Sequence, residues 1–288
     1  MTPLTIPIRS LAAEPEESIA YMPMPREMAT FQMPSVPEPG PDSDVAGARD
    51  VLACFLVLYA EWLDGDGELP MLDLNGLAGE SLRVLNETLG EGEVAATCDA
   101  DHEIRIQETV FTGVWREQHF EADGSLLHDY LVAAPVPPVI GRLAGERADS
   151  RLRRLELPSG AMNVPALIHE LQEAMDRSGH STVAHVINLT LLPLSPEDTV
   201  HIDRVLDGGS VVILSRGFGN CRISSTAARN VWRVQYFNNM QTLILNTIEV
   251  TPMPEAAVAA REDLVETRER LAELVAWMSD SVAAARPS

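Results

Sequence analysis

Three stretches hold residue types that do chemistry. Cys98-Asp-Ala-Asp-His-Glu103 places a thiol, an imidazole and three carboxylates in six positions, with His119 and His128 downstream. These are the donors of a metal site, but the spacing matches no standard zinc or iron–sulfur pattern, and a solvated acidic turn is the favoured reading. Cys221 stands beside Arg222, whose positive field would lower a thiol pKa; His201 is the only histidine in the adjoining text to serve as its base. A strand cysteine packed in a sheet is favoured over a nucleophile. Gly217-Phe-Gly219-Asn220 could turn backbone N–H groups toward an anion. A strand follows it rather than a helix, so neither a Rossmann nor a P-loop setting exists, and a turn with permissive backbone angles accounts for the glycines. These residues assign no catalytic group, no metal and no cofactor.

The elements that must position these residues read as α+β. Val45 to Leu63 is a largely apolar helix stopped by Gly65, followed by a short strand over Leu72–Leu74, a helix over Ser81–Leu89 and a strand over Glu93–Thr97. Strands follow at Glu103–Val110, Val114–Phe120 and Ser125–Ala133, with Asp123-Gly124 as a turn. Gly141 to Leu157 reads as a solvated helix or linker. The order then recurs: a helix over Pro165–Met175, a strand over Val186–Leu191, and a helix from Ser195-Pro-Glu-Asp198, which supplies an N-cap, a first-turn proline and early acids. Strands close the unit at Val211–Leu214, Cys221–Ser225, Val231–Phe237 and Thr242–Val250. Strand–helix–strand connections predict that the first two strands of each half are parallel and the rest an antiparallel meander, giving mixed sheets with helices on one face.

A tandem duplication underlies this recurrence. Shifted by 117 positions without a gap, Leu89, Gly92, Val94, Arg105, Ile106, Thr109, Val114, Trp115, Arg116, Gln118, Phe120, Leu126, Pro135 and Pro137 meet identical residues between Leu206 and Pro254. The copies differ in charge. Gly90 to Ala134 holds ten acids and two arginines, whereas Arg204 to Ile248 holds five arginines and the single acid Asp207. Shared residues such as Arg222, Trp232, Arg233 and Gln235 serve the common fold. Arg216, Gly217, Gly219, Asn220, Arg229, Asn230 and Tyr236 occur only in the second copy and are the expected partner-binding residues.

The predicted organisation is an extended arm over residues 1–43, a first acidic repeat with its linker over 44–160, a second basic repeat over 161–254 and a C-terminal helical segment over 255–288. The arm holds nine of the twenty prolines and five of the eleven methionines. In the last segment Leu264, Leu271, Leu274, Val275 and Met278 form one stripe, expected to dock on the sheet, with a homodimer seam as the second choice.

Bulk composition excludes several classes. A net charge of −22 disfavours nucleic acid and anionic membranes as partners, because the phosphate term would be repulsive. The longest apolar run, Val51 to Ala60, is far shorter than the ~20 residues of a membrane span, so no membrane insertion is expected. Three cysteines without paired spacing point to reduced thiols and a cytoplasmic setting.

The text Arg216-Gly-Phe-Gly-Asn-Cys-Arg-Ile-Ser-Ser-Thr-Ala-Ala-Arg-Asn-Val-Trp-Arg-Val-Gln-Tyr-Phe-Asn, then Leu243-Ile-Leu-Asn-Thr-Ile-Glu-Val250, resembles the hydrogenase expression/formation proteins of the HupH/HyaF/HoxQ type. Tyr21-Met-Pro-Met-Pro25, the segment Ile106 to Trp115 and the stretch His185 to Glu197 resemble the same family. The resemblance implies a non-enzymatic cytoplasmic accessory protein for maturation of [NiFe]-hydrogenase. Its implied partners are the Fe–S small-subunit precursor, bound before twin-arginine export, and other maturation proteins. The alternative is a factor that handles nickel or Fe–S, or works through a thiol.

Overall fold

The computed structural model describes residues 45–99, 102–178, 183–217 and 219–284. The arm expected over residues 1–43 lies outside them, as do Asp101 and Phe218. The apolar text after Val45 forms helix α1 (Val45–Asp64), burying Ala48, Leu52, Phe55, Tyr59 and Leu63 at spacings of three and four. Gly65, at φ 91°, ends it. Strand β1 (Met71–Asp73), helix α2 (Gly79–Leu89) and strands β2 (Val94–Asp99), β3 (Glu103–Glu108), β4 (Val114–Phe120) and β5 (Leu126–Ala133) complete the first unit. Helix α3 (Pro138–Glu146) leads to helix α4 (Val164–Ser178), strand β6 (His185–Asn188), helix α5 (Pro196–Leu206) and strands β7 (Val211–Ser215), β8 (Asn220–Ser225), β9 (Val231–Phe237) and β10 (Leu243–Val250). Helix α6 (Arg261–Ala284) closes the described chain. Among the described residues no helix is long and apolar enough to cross a membrane.

The strands form one ten-stranded sheet in the order β1-β5-β4-β3-β2-β7-β8-β9-β10-β6. Every pairing is antiparallel, which corrects the expected mixed sheets. The first two strands of each unit are not neighbours. β1 pairs with β5 and β6 pairs with β10, so each helical connection passes across a half-sheet to its far edge. The strand expected over Val186–Leu191 stops at Asn188, where the Asn188 side chain accepts from Thr190 N–H and turns Leu189–Leu191 into a 3-10 helix.

The 117-residue offset recurs in three dimensions. It carries α2 onto α5, and β3, β4 and β5 onto β8, β9 and β10, with the same element bounds.

Alternation along the strands gives the sheet two faces. On the front, α1, α2 and α6 pack over Val114, Leu131 and Ala133, while α4 and α5 pack over Val231, Ile248 and Val250. The expectation of helices on one face is corrected by α3. α3 lies on the back, where Val139, Ile140 and Leu143 join one apolar core running through both repeats from Trp115 and Val132 to Trp232 and Val234. The apolar side of α3 requires this cover. The α6 stripe docks within the chain: Leu264, Leu271 and Met278 join the core with α1, and Tyr59 Oη donates to Leu264 O at 3.0 Å.

Candidate partner-binding surface

Residues common to both repeats do the same work twice. Trp115 Nε1 donates to Ala134 O at 2.8 Å, and Trp232 Nε1 donates to the equivalent Thr251 O at 3.1 Å. Thr109 and Thr226 cap equivalent turns, each accepting from the N–H two residues on. Gly92 and Gly209 lie against strand carbonyls, where a Cβ would come within 2.2 Å of Thr109 O and 1.9 Å of Ser225 O. These identities preserve the fold.

The expected partner-binding residues separate into two groups. Arg216, Gly217, Gly219 and Asn220 form the β7–β8 hairpin, with Arg216 N–H donating to Glu93 O at 3.1 Å and Gly219 at φ 94°. Gly217 lies beside Glu93, whose Oε2 would be 2.4 Å from a Cβ there. Tyr236 stands near this end on the back face, cross-strand from Cys221. Arg229 and Asn230 lie beyond the opposite end of β8, about 17 Å away along the strand. Arg229 N–H donates to Asp149 O at 2.8 Å, and Asn230 O accepts from Thr251 N–H at 2.8 Å.

Asn230 has a conformational role. Its φ of 58° matches the left-handed φ of 77° at the equivalent Gly113. Asparagine is among the few side chains that tolerate this region. Gly113 has no such latitude, since a Cβ would meet Leu264 Cδ2 of α6 at 2.1 Å.

The other candidates are dispersed by the sheet. Cys98 is 1% exposed on the back face, whereas Asp99 and Glu103 form a cross-strand pair on the front. Burial, then Glu117, pushes the Cys98 thiol up to about 12. Burial likewise pushes Cys221 up to about 11, outweighing its hydrogen bond with Tyr236. His201 lies on α5 at the front, and Cys221 faces the back. The sheet therefore separates the thiol from its supposed base.

One histidine group does assemble. His102 Nε2 is 2.9 Å from His119 Nδ1, and His119 Nε2 is 2.7 Å from Glu117 Oε1. His128 is the cross-strand neighbour of His119. Glu117 is buried, and its Oε2 has no hydrogen-bond partner. Among the described residues no three His, Cys, Asp or Glu are placed to hold a metal ion.

Arg222, which sequence comparison assigns to the common fold, has different surroundings from its counterpart in the first repeat. Its counterpart Arg105 is neutralised by Glu103, Nε to Oε1 at 2.9 Å, and lies over the Phe120 ring at 4.5 Å. At the position equivalent to Glu103 the second repeat has Asn220, and among the described residues Arg222 has no ion-pair partner. Its Nε is buried without a hydrogen-bond partner, and burial lowers its pKa. Identity at position 222 concealed this difference; the substitution two residues earlier was its signal.

Both repeats match known proteins. The model of the HupH hydrogenase expression protein C-terminal conserved region matches residues 48–157 and 161–278. The chain is 39% identical to the hydrogenase expression/formation protein HoxQ of Cupriavidus necator, over 91% of this chain and 93% of that one. It is 41% identical to HupQ of Azotobacter chroococcum, over 90% and 92% of the two chains, and 33% identical to the hydrogenase-1 operon protein HyaF of Escherichia coli, over 75% of each. The solved hydrogenase expression protein HupH of Thiobacillus denitrificans is 30% identical, covering 41% of this chain and 96% of that one with a TM-score of 0.37.

Proposed function

The chain belongs to the HupH hydrogenase expression protein family, and we propose that it is a non-enzymatic chaperone of [NiFe]-hydrogenase maturation that binds the Fe–S small-subunit precursor in the cytoplasm, before twin-arginine export. Its relatives' names as hydrogenase expression or formation proteins support the pathway. The observation that carries a binding role is the replacement of Glu103 by Asn220 between equivalent strands, which leaves Arg222 an uncompensated cation beside the Arg216–Gly219 hairpin. A half-buried guanidinium without an internal acid is costly in isolation and is compensated when a partner supplies the acid. The acidic first repeat suits basic segments, among them a twin-arginine signal.

Co-purification of the tagged full chain with the small-subunit precursor tests this reading. Arg216→Glu weakens capture, while Arg229→Ala, at the opposite sheet end, changes it less. Absence of capture by the unaltered chain rejects the small subunit as partner.

The His102–His119–Glu117 chain favours one alternative, a metal-handling maturation factor. With Nε2 held by Glu117, the His119 ring would offer Nδ1 to a metal only by exchanging its contact with His102. Equilibrium dialysis with Ni²⁺ and Zn²⁺ decides: stoichiometric binding that His119→Ala abolishes supports it, and no binding removes it.

A further inference from the structure

Among the described residues the front helix layer is interrupted at the centre of the sheet. Asn86 of α2 accepts from Arg116 of β4, and Asp203 of α5 accepts from Arg233 of β9. Those contacts place the two helices over β4 and β9, which are separated by β3, β2, β7 and β8. Five strand spacings of about 4.8 Å put the helices about 24 Å apart. Helices pack side by side at about 8–10 Å, so this gap is one helix wide.

Its floor is solvent-accessible. Thr97 and Arg105 are exposed, and Ala95, Val212, Leu214 and Arg222 are partly exposed. On the reverse side of the same strands Ala96, Cys98, Ile104, Ile106, Val211, Ile213, Cys221 and Ile223 are at most 3% exposed. The sheet is thus sealed behind and open in front. Between Gln107, Arg116, Gln118 and Leu89, the α2 margin contains a recess of about 280 Å³.

We infer that this slot receives one amphipathic helix of the hydrogenase small-subunit precursor, with a carboxylate on that helix paired to Arg222. The inference rests on the function proposed above and adds the chemistry of the contact. Ala95, Val212 and Leu214 offer a small apolar strip at the centre of the floor. Arg105, already paired with Glu103, contributes little charge to a ligand. Arg222 is the floor cation without an acid, and its place on β8 sets the carboxylate to the second-repeat side of the helix. Strands of about six residues support some 20 Å of contact, or about 13 residues of helix. An apolar stripe with one acid at its edge is the mode by which a groove reads a helix.

The internal repeat supplies a matched control. Capture of the precursor by the full chain is compared for Arg222→Glu and Arg105→Glu, whose positions are equivalent. Thermal unfolding of each variant reports on its integrity. Capture falls about tenfold or more for Arg222→Glu and within about threefold for Arg105→Glu. Leu214→Arg, which blocks the floor without reversing the Arg222 charge, also loses capture. A benzophenone amino acid at position 212 crosslinks to one precursor segment with helical spacing. Equal capture by Arg222→Glu and the unaltered chain overturns the inference, as do crosslinks confined to this chain or to a second copy of it. If the unaltered chain captures no precursor, the functional reading fails and the slot assignment with it. If it does and the Arg222 and Leu214 variants match it, only the slot assignment fails.

Discussion

Ala96 and Ile213 face each other across the β2–β7 pairing, and each is also the other's counterpart at the 117-residue offset. The pseudo-twofold axis relating the repeats therefore passes between these two residues, which are 3% and 1% exposed in the continuous back core. A core shared across the axis makes the repeats fold together. Calorimetry is expected to show one unfolding transition, with Ile213→Ala lowering stability of the whole by about 2–4 kcal/mol. Two separated transitions, with only the second shifted, would contradict it.

Arg116 and Arg233 make equivalent contacts with their carboxylate and amide exchanged. Arg116 pairs with Asp129 on β5 and Asn86 on α2; Arg233 pairs with Asn246 on β10 at 2.7 Å and Asp203 on α5 at 2.6 Å. The Asp129 side chain is 3% exposed, whereas that of Asp203 is 40% exposed. Arg116→Met strands a buried carboxylate and should cost about 3–5 kcal/mol. Arg233→Met leaves its acid in water and should cost about 1–2 kcal/mol. Urea denaturation of the two variants measures the difference, and equal losses reject the explanation.

Much of this architecture was legible because its signals are local. The Ser195 cap and first-turn Pro196 start α5, and Asp123-Gly124 turns β4 into β5. Pairing partners were less legible. Nothing in Met71–Asp73 names β5 rather than β2 as its neighbour, because that choice depends on where α2 finds an apolar face. Residue identity between the copies also concealed the different surroundings of Arg222, where Asn220 stands in place of an acid. Arg229 is grouped with Arg216 because both occur only in the second copy, and the length of β8 separates them.

Thiol reactivity follows burial. Cys54 is exposed on α1, while the Cys98 and Cys221 thiols are buried and shifted up to about 12 and about 11. At pH 8 a disulfide reagent should modify one thiol rapidly in the native protein and all three after denaturation. Fast modification of Cys221 in the native protein would restore the thiol-dependent alternative.

The pH dependence of stability should fall from both sides of a mildly acidic optimum. Asp198 is pushed up by burial, but N–H groups of Ser195, Val164, Asn163 and Met162 outweigh this and hold it at about 2. An acid depressed on folding stabilises above its unfolded pKa of about 3.9, and that contribution is lost as pH falls toward about 2. Glu108 behaves oppositely. Burial raises it to about 7 against the Gly113 N–H bond at 3.1 Å, so the native state holds its proton more tightly than the unfolded chain. Its contribution is complete below about pH 4.3 and is lost as pH rises through about 7, a change on the order of 3–4 kcal/mol. Glu108→Gln keeps an acceptor for Gly113 N–H without a titrating proton. Its urea midpoint should stay level between pH 5 and pH 8, where that of the unaltered chain falls, and parallel declines in the two proteins would show that Glu108 is not the group responsible.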